Sequence, residues 1–140
     1  MNKVEHIGIA VKSLAVSIPL FAKIFNTTCY KTEEVESEKV NTAFFITGET
    51  KVELLESLEP GGVIARFIEK KGEGMHHIAF EVENIEEEMV RLRELGFTFI
   101  FETAKRGADN KLVCFLHPKE TNGVLIEICQ EIKEIKSITL

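Results

Sequence analysis

Two hydrophobic periods take turns along the chain, and their order repeats. Residues 4–11 alternate apolar and polar positions and are rich in β-branched side chains, which predicts a strand. The next segment has helical spacing interrupted by Pro19. Ser13 as the cap would leave that proline inside the helix, where it removes a hydrogen bond and crowds the preceding turn. Ser17 as the cap puts it in the first turn, where its missing N–H costs nothing, and predicts a short helix to about Phe25. Residues 29–34, 41–46 and 51–56 read as strands, the last two joined by a turn at Gly48-Glu49-Thr50. Pro60-Gly61-Gly62 breaks the chain, Ile64, Phe67 and Ile68 give 63–70 helical spacing, and Lys71-Gly72-Glu73-Gly74 ends that connector. A second cycle follows. It opens with a strand at 75–82, then a helix capped by Asn84 with Ile85, Met89, Leu92 and Leu95 inward and Gly96 as its stop. Strands at 97–101, 112–117 and 123–130 complete it.

The order is therefore βαβββ twice, and the copies share more than topology. His6-Ile7-Gly8-Ile9-Ala10-Val11 is echoed by His77-Ile78-Ala79-Phe80-Glu81-Val82, and Val52-Glu53-Leu54-Leu55 by Ile126-Glu127-Ile128-Cys129. One such unit leaves an apolar sheet face open, so two units side by side are expected to form a cupped mixed sheet with helices outside. The fold class expected is α+β in a single domain over 1–140: a first module at about 4–57, a connector helix at about 60–73, a second module at about 75–131 and a tail at 132–140. A ligand would sit on the concave side.

A two-fold pairing of the halves would bring His6, His77, Glu53 and Glu127 together, and two imidazoles with two carboxylates suit a divalent metal. A single histidine at the start of a strand is most often structural. The glutamates weigh more, because each lies inside an apolar strand, and a buried carboxylate without a partner is costly. His76 and His77 are adjacent, so strict alternation lets only one look into the cup. The repeat selects His77 and leaves His76 outward or behind it. His117, beside Pro118, reads as structural, and Glu86-Glu87-Glu88 as a solvated helix start favoured by the helix dipole.

Bulk properties add exclusions. A chain of 140 residues with 44% hydrophobic residues suits one soluble domain, and the net charge of −6 with scattered basic residues gives no footprint for nucleic acid. The start moves straight into a strand without an apolar signal core, and no apolar run approaches a membrane span, so a cytoplasmic protein is expected. Cys29, Cys114 and Cys129 are odd in number and set among apolar neighbours, which fits reduced thiols in a core.

Several segments together resemble the vicinal oxygen chelate (glyoxalase/bleomycin resistance/dioxygenase) superfamily and, within it, the methylmalonyl-CoA epimerase family, up to about Glu131. They are His6-Ile7-Gly8-Ile9-Ala10-Val11, Lys51-Val52-Glu53-Leu54-Leu55-Glu56, Ile64-Ala65-Arg66-Phe67-Ile68-Glu69-Lys70, Gly74-Met75-His76-His77-Ile78, Phe115-Leu116-His117-Pro118-Lys119 and Gly123-Val124-Leu125-Ile126-Glu127. The paired repeat marks the superfamily; the adjacent histidines and the last two segments are more specific. The resemblance implies metal ligands at His6, His77 and Glu127, with Glu53 at a fourth, more variable position. It also implies a divalent ion, cobalt first among cobalt, manganese, zinc, nickel and magnesium, an acyl-CoA substrate and a homodimer. The implied reaction removes the proton at C2 of a 2-substituted malonyl-CoA and returns one to the opposite face through a metal-stabilised enolate. Glu127 is the first choice for general base and Glu53 for the second acid/base, with a water on Thr42 as the fallback. Lys105, Arg106, Lys111 and Lys119 are candidates for the phosphates of coenzyme A.

Two departures stand out. Thr42 occupies the position where the family can carry its second catalytic glutamate, and Gly107-Ala108-Asp109-Asn110-Lys111 replaces a loop that usually reads Gly-Ala-His-Gly-Lys. Three other readings share the superfamily: a lactoylglutathione lyase-type (glyoxalase I) isomerase, a ring-opening dioxygenase, and a non-catalytic small-molecule binding protein. The last generally lacks the ligands that His6, His77 and Glu127 supply.

Overall fold

A computed structural model describes residues 1–133; the expected tail lies outside the described residues from 134 onward. Along the chain come β1 (Lys3–Ala10), α1 (Leu14–Phe25), β2 (Lys31–Val35), β3 (Val40–Thr47), β4 (Thr50–Ser57), α2 (Val63–Lys71), β5 (Gly74–Glu81), α3 (Ile85–Glu94), β6 (Lys105–Arg106), β7 (Lys111–Phe115) and β8 (Ile126–Glu131). The strands form one mixed sheet in the order β2-β3-β4-β1-β5-β8-β7-β6. At its centre β1 and β5 run antiparallel, and each has a parallel neighbour on its outer side, β4 beside β1 and β8 beside β5. What lies on one side of the central pair repeats on the other, as the paired βαβββ pattern requires.

Strand alternation sorts the core into layers. Ala43, Phe45, Val52 and Leu54 of β3 and β4 face α1 and pack with Leu14, Ile18 and Phe21, while Cys114 and Ile128 of β7 and β8 pack with Ile85 and Met89 of α3. The positions between them, Thr42, Glu53 and Leu55 in one half and Val113, Phe115 and Glu127 in the other, face the concave side. The connector α2 covers the rim of the cup, its Ile64 packed on Ala10, Val35, Val40 and Leu55.

Three expectations are corrected. The first helix starts at Leu14, with Ser13 as its cap accepting from the Val16 N–H at 3.3 Å, so Ser17 is a buried helical residue and Pro19 is interior. The hydrogen bond lost at Pro19 would have gone to the Ala15 carbonyl, and both residues are exposed. Water can serve that carbonyl, and helix carbonyls on the solvent side tilt outward in any case. The proline costs about 3 kcal/mol; burying Leu14 returns about 1.5–3 kcal/mol, and the extra turn adds bonds such as Ser17 N–H to Ser13 O at 3.0 Å.

The second correction is the strand expected at 97–101, which is a single bridge between Phe99 and Leu116. Phe99 and Phe101 turn into the α3 core, and the module's second strand is instead the two-residue β6. The third is Leu95, expected inward but 64% exposed. It ends α3, where Gly96 takes a φ of 96° and the chain reverses, the Phe97 N–H bonding Leu92 O at 3.0 Å.

Candidate metal centre

Two β-bulges shape the floor of the cup. In the β1–β5 ladder Val4 faces Phe80 while His6 faces Ala79, so Glu5 is an extra residue on β1. Gly8 faces His77 while Ile9 faces Met75, so His76 is an extra residue on β5. A bulge interrupts strict alternation and re-aims the side chains around it. Neighbours that would point apart therefore meet: Glu5 Oε1 is 2.9 Å from His6 Nδ1, and His76 Nδ1 is 3.0 Å from His77 Nδ1. The expectation that His76 turns away from the cup is corrected, since it lines the same cavity as His77. Gly8 makes room for that second ring. A Cβ built on it would stand 2.2 Å from His77 Cε1, so only bare backbone lets the imidazole lie across β1.

The candidate ligands converge from four strands. His6 Nε2 and His77 Nε2 are 3.0 Å apart. Glu127, from β8, places Oε2 3.4 Å from His6 Nε2 and Oε1 3.6 Å from His77 Nε2. Glu53, from β4, places Oε2 3.1 Å from His6 Nδ1, on the opposite edge of that ring. All four side chains are buried. Ligand atoms of His6, His77 and Glu127 lie within 4.8 Å of one another, and those of Glu5, His6 and Glu53 do the same. Glu53 thus joins the cluster through the Nδ1 edge of His6, not beside the other three.

Electrostatics treat the two histidines oppositely. Burial alone would lower His6, but the charges of Glu127 and Glu53 and the hydrogen bond to Glu5 overcome it, so His6 is held well above the ordinary imidazole value. His77 is pushed well below it by burial and by its histidine neighbours, and His76 is pushed down to about 4 by burial and by Lys71. Burial, with the charges of Glu127 and Glu5 adding to it, raises Glu53 to about 7 despite the opposing pull of His6. With His6 charged and His77 neutral, the distances are met by the following arrangement. His6 donates from Nδ1 to Glu5 and from Nε2 to His77 Nε2, and His77 donates from Nδ1 to His76.

A divalent ion fits in place of the proton shared by the two Nε2 atoms. Their 3.0 Å separation suits two adjacent ligands each about 2.1 Å from a common ion. Glu127 Oε2 is buried without a hydrogen-bond partner, which leaves it a lone pair to give. The donor set of nitrogen and oxygen is the one borderline divalent ions accept.

Above the centre lies a pocket walled largely by apolar side chains such as Val35, Val40, Leu55, Val113 and Phe115. Thr42 faces it, 1% exposed and with Oγ1 unpartnered; the repeat equates it with Val113, because Phe44 faces Glu53 as Phe115 faces Glu127. Lys119 stands in an adjoining groove with Phe67, Lys71, Pro118 and Gly123, reached past His76 and His77. The other phosphate candidates are otherwise engaged: Lys105 pairs with Glu38 at 3.0 Å, Arg106 bonds Asn110, and Lys111 is buried. His117 is a turn residue whose backbone N–H bonds Thr98 O at 3.1 Å. Sequence reasoning missed Gly8, Glu5 and Lys51. A one-residue bulge leaves hydrophobic periodicity almost unchanged, so only the pairing partner reveals it.

The family model described as Glyoxalase/Bleomycin resistance protein/Dioxygenase superfamily matches residues 5–115. A hypothetical protein, BH1468 of Bacillus halodurans, has a crystal structure similar over 97% of this chain and 99% of its own, with a TM-score of 0.91 and 40% identity. The mitochondrial methylmalonyl-CoA epimerase of Homo sapiens is 35% identical over 131 residues, 93% of this chain and 74% of that protein. The crystal structure of methylmalonyl-CoA epimerase from Mycobacterium tuberculosis is similar over 93% of this chain and 88% of its own, with a TM-score of 0.89 and 30% identity.

Proposed function

The chain belongs to the Glyoxalase/Bleomycin resistance protein/Dioxygenase superfamily, and on that premise we propose that it is a metal-dependent epimerase that interconverts the (R) and (S) forms of methylmalonyl-CoA by moving the proton at C2. The observation that carries this reading is the buried set of two imidazoles and two carboxylates on the floor of an apolar cavity, in a chain similar to enzymes that bear that name. His6, His77 and Glu127 would hold a divalent ion, cobalt as first choice, and Glu53 would complete the set by swinging from the Nδ1 edge of His6 toward them. When bound, such an ion supplies Lewis-acid stabilisation, worth several kcal/mol, as negative charge develops on the thioester and carboxylate oxygens.

The chain's own residues do the rest. Glu127 and Glu53 enter from β8 and β4, on opposite flanks of the central strand pair, so one takes the C2 proton from one face and the other returns a proton to the second face. A carboxyl pushed up to about 7, as Glu53 is, both gives and accepts a proton near neutral pH. Thr42 holds a polar atom on the cavity wall where it can orient a water or a substrate oxygen. Val35, Val40, Leu55 and Val113 keep bulk water from the reacting carbon. The reading carries with it an acyl-CoA substrate, a cytoplasmic location and a homodimer. Among the described residues no helix is long and apolar enough to cross a membrane.

The test follows the C2 hydrogen of methylmalonyl-CoA by proton NMR in D2O, with metal-reconstituted protein beside a chelator-treated sample and Glu127→Gln. Rapid exchange with metal, abolished in both controls, supports the reading. No exchange above the protein-free rate, with metal shown to be bound, overturns it.

A further inference from the structure

A chain of alternating charges runs from His6 out of the metal cluster and across the module boundary. Glu5 Oε1 accepts from His6 Nδ1 at 2.9 Å, and Glu5 Oε2 meets Lys51 Nζ at 3.0 Å. The same ammonium bonds Asp109 Oδ2, while Asp109 Oδ1 takes Lys31 Nζ at 2.6 Å. The Asp109 backbone N–H donates to Glu33 Oε1 at 3.1 Å. Lys31, Glu33 and Lys51 belong to the first module; Asp109 stands in the turn between β6 and β7 of the second. Asp109 and the next residue, Asn110, both have left-handed backbones, with φ of 58° and 55°. Two consecutive non-glycine residues hold that conformation only where their surroundings impose it. The residues just before them, Gly107 and Ala108, wall the cavity over the metal cluster.

We infer that Asp109 is a positioning residue for the metal centre: it latches the 107–110 turn onto the first module and, through Lys51 and Glu5, fixes the His6 ring with Nε2 toward the ion site. The inference rests on His6 being a metal ligand, as proposed above. The physical ground is that a ligand imidazole is oriented by whatever accepts from its other nitrogen, and that acceptor is in turn only as fixed as its own partners. Glu5 is buried beside one lysine, and that lysine is anchored at its far side by Asp109. Without Asp109, Lys51 keeps one carboxylate instead of two, and the turn loses its side-chain ties to Lys31 and Lys51.

The experiment is a double-mutant cycle of Asp109→Asn and Glu5→Gln. Asn keeps the shape and tolerates the left-handed backbone, so the fold is spared. Two readouts are taken: the Zn2+ dissociation constant by chelator competition, and the exchange protection of the His6 Nδ1–H proton by 15N NMR, in metal-free and zinc-loaded protein. Glu5→Gln is expected to weaken zinc about 10–100-fold and Asp109→Asn several-fold. Both lower the Nδ1–H protection, and Asp109→Asn adds little once Glu5 is gone. Additive losses, or unchanged Nδ1–H protection in Asp109→Asn, would overturn the relay. His6→Ala separates the two readings. Zinc retained in that variant sinks the metal assignment, while Nδ1–H protection in the metal-free protein still decides the relay for or against.

Discussion

The two modules place their proposed ligands alike and surround them differently. His6 and His77 each follow a bulged residue, and Glu53 and Glu127 each lie opposite a phenylalanine. Yet the bulged residue is a carboxylate tied to Lys51 in the first module and a half-buried histidine edged against Phe67 in the second. Glu5 thereby adds to the charges of Glu127 and Glu53 in holding His6 toward its charged form, while burial, His6 and His76 hold His77 toward its neutral one. Duplication of a unit thus fixes where ligand atoms go, because strand register and bulges are shared. What each ligand does is then set by the next layer of residues, where the copies are free to diverge, as Thr42 and Val113 also show.

The sharpest way to break the symmetry is to remove its two carboxylates in turn. Glu127→Gln is expected to lower kcat/KM by about 10²–10⁴, the ordinary contribution of a general base, and to weaken the metal as well. Glu53→Gln should slow inversion more than wash-in of deuterium from one epimer, which NMR of each epimer in D2O resolves. Equal effects on both would show that the two faces are not served separately. Next come the residues facing the two histidines. Gly8→Ala drives a Cβ into the His77 ring and should cost about 1–3 kcal/mol in urea unfolding, with metal affinity falling too. Ala79→Gly, opposite His6, should cost only about 0.5–1 kcal/mol. In α3, Ile85→Ala should cost about 2–5 kcal/mol, whereas exposed Leu95→Ala should change stability by less than about 0.5 kcal/mol.

The smallest effect appears only in acid. Burial would raise Asp109, but its hydrogen bonds and charge pairing with Lys31 and Lys51 outweigh that and lower it. A folded pKa below the unfolded one stabilises the protein above the unfolded value and loses that support as pH falls through the folded one. The urea midpoint of the wild type should therefore drop more steeply below about pH 4 than that of Asp109→Asn, and parallel curves would remove Asp109 from the acid response.

The βαβββ order, the helix caps at Asn84 and Gly96, and the convergence of His6, Glu53, His77 and Glu127 were legible because each leaves a mark in local composition or in the repeat. The start of α1 was not, because the cost of Pro19 reads in the sequence while the burial of Leu14 that offsets it does not. The segment at 97–101 kept a strand's alternation and yet formed one bridge, since its phenylalanines found a helix to pack on. Asp109 stood out as an odd residue in a loop, but its lysine partners lie far away in sequence, and long-range ion pairs have no local signature.

The central antiparallel pair has a consequence for how the protein comes into being. β1 and β5 touch along their length but are made far apart in time, and β8, which brings Glu127, is made later still. The His6, His77 and Glu127 trio cannot assemble before β8 has been made, so on the proposed reading metal capture follows synthesis of both modules. A chain cut within Pro60-Gly61-Gly62 would carry one histidine of the trio on one fragment and His77 and Glu127 on the other, and on the proposed reading the ion would add a second bridge to the β1–β5 pairing that joins the fragments.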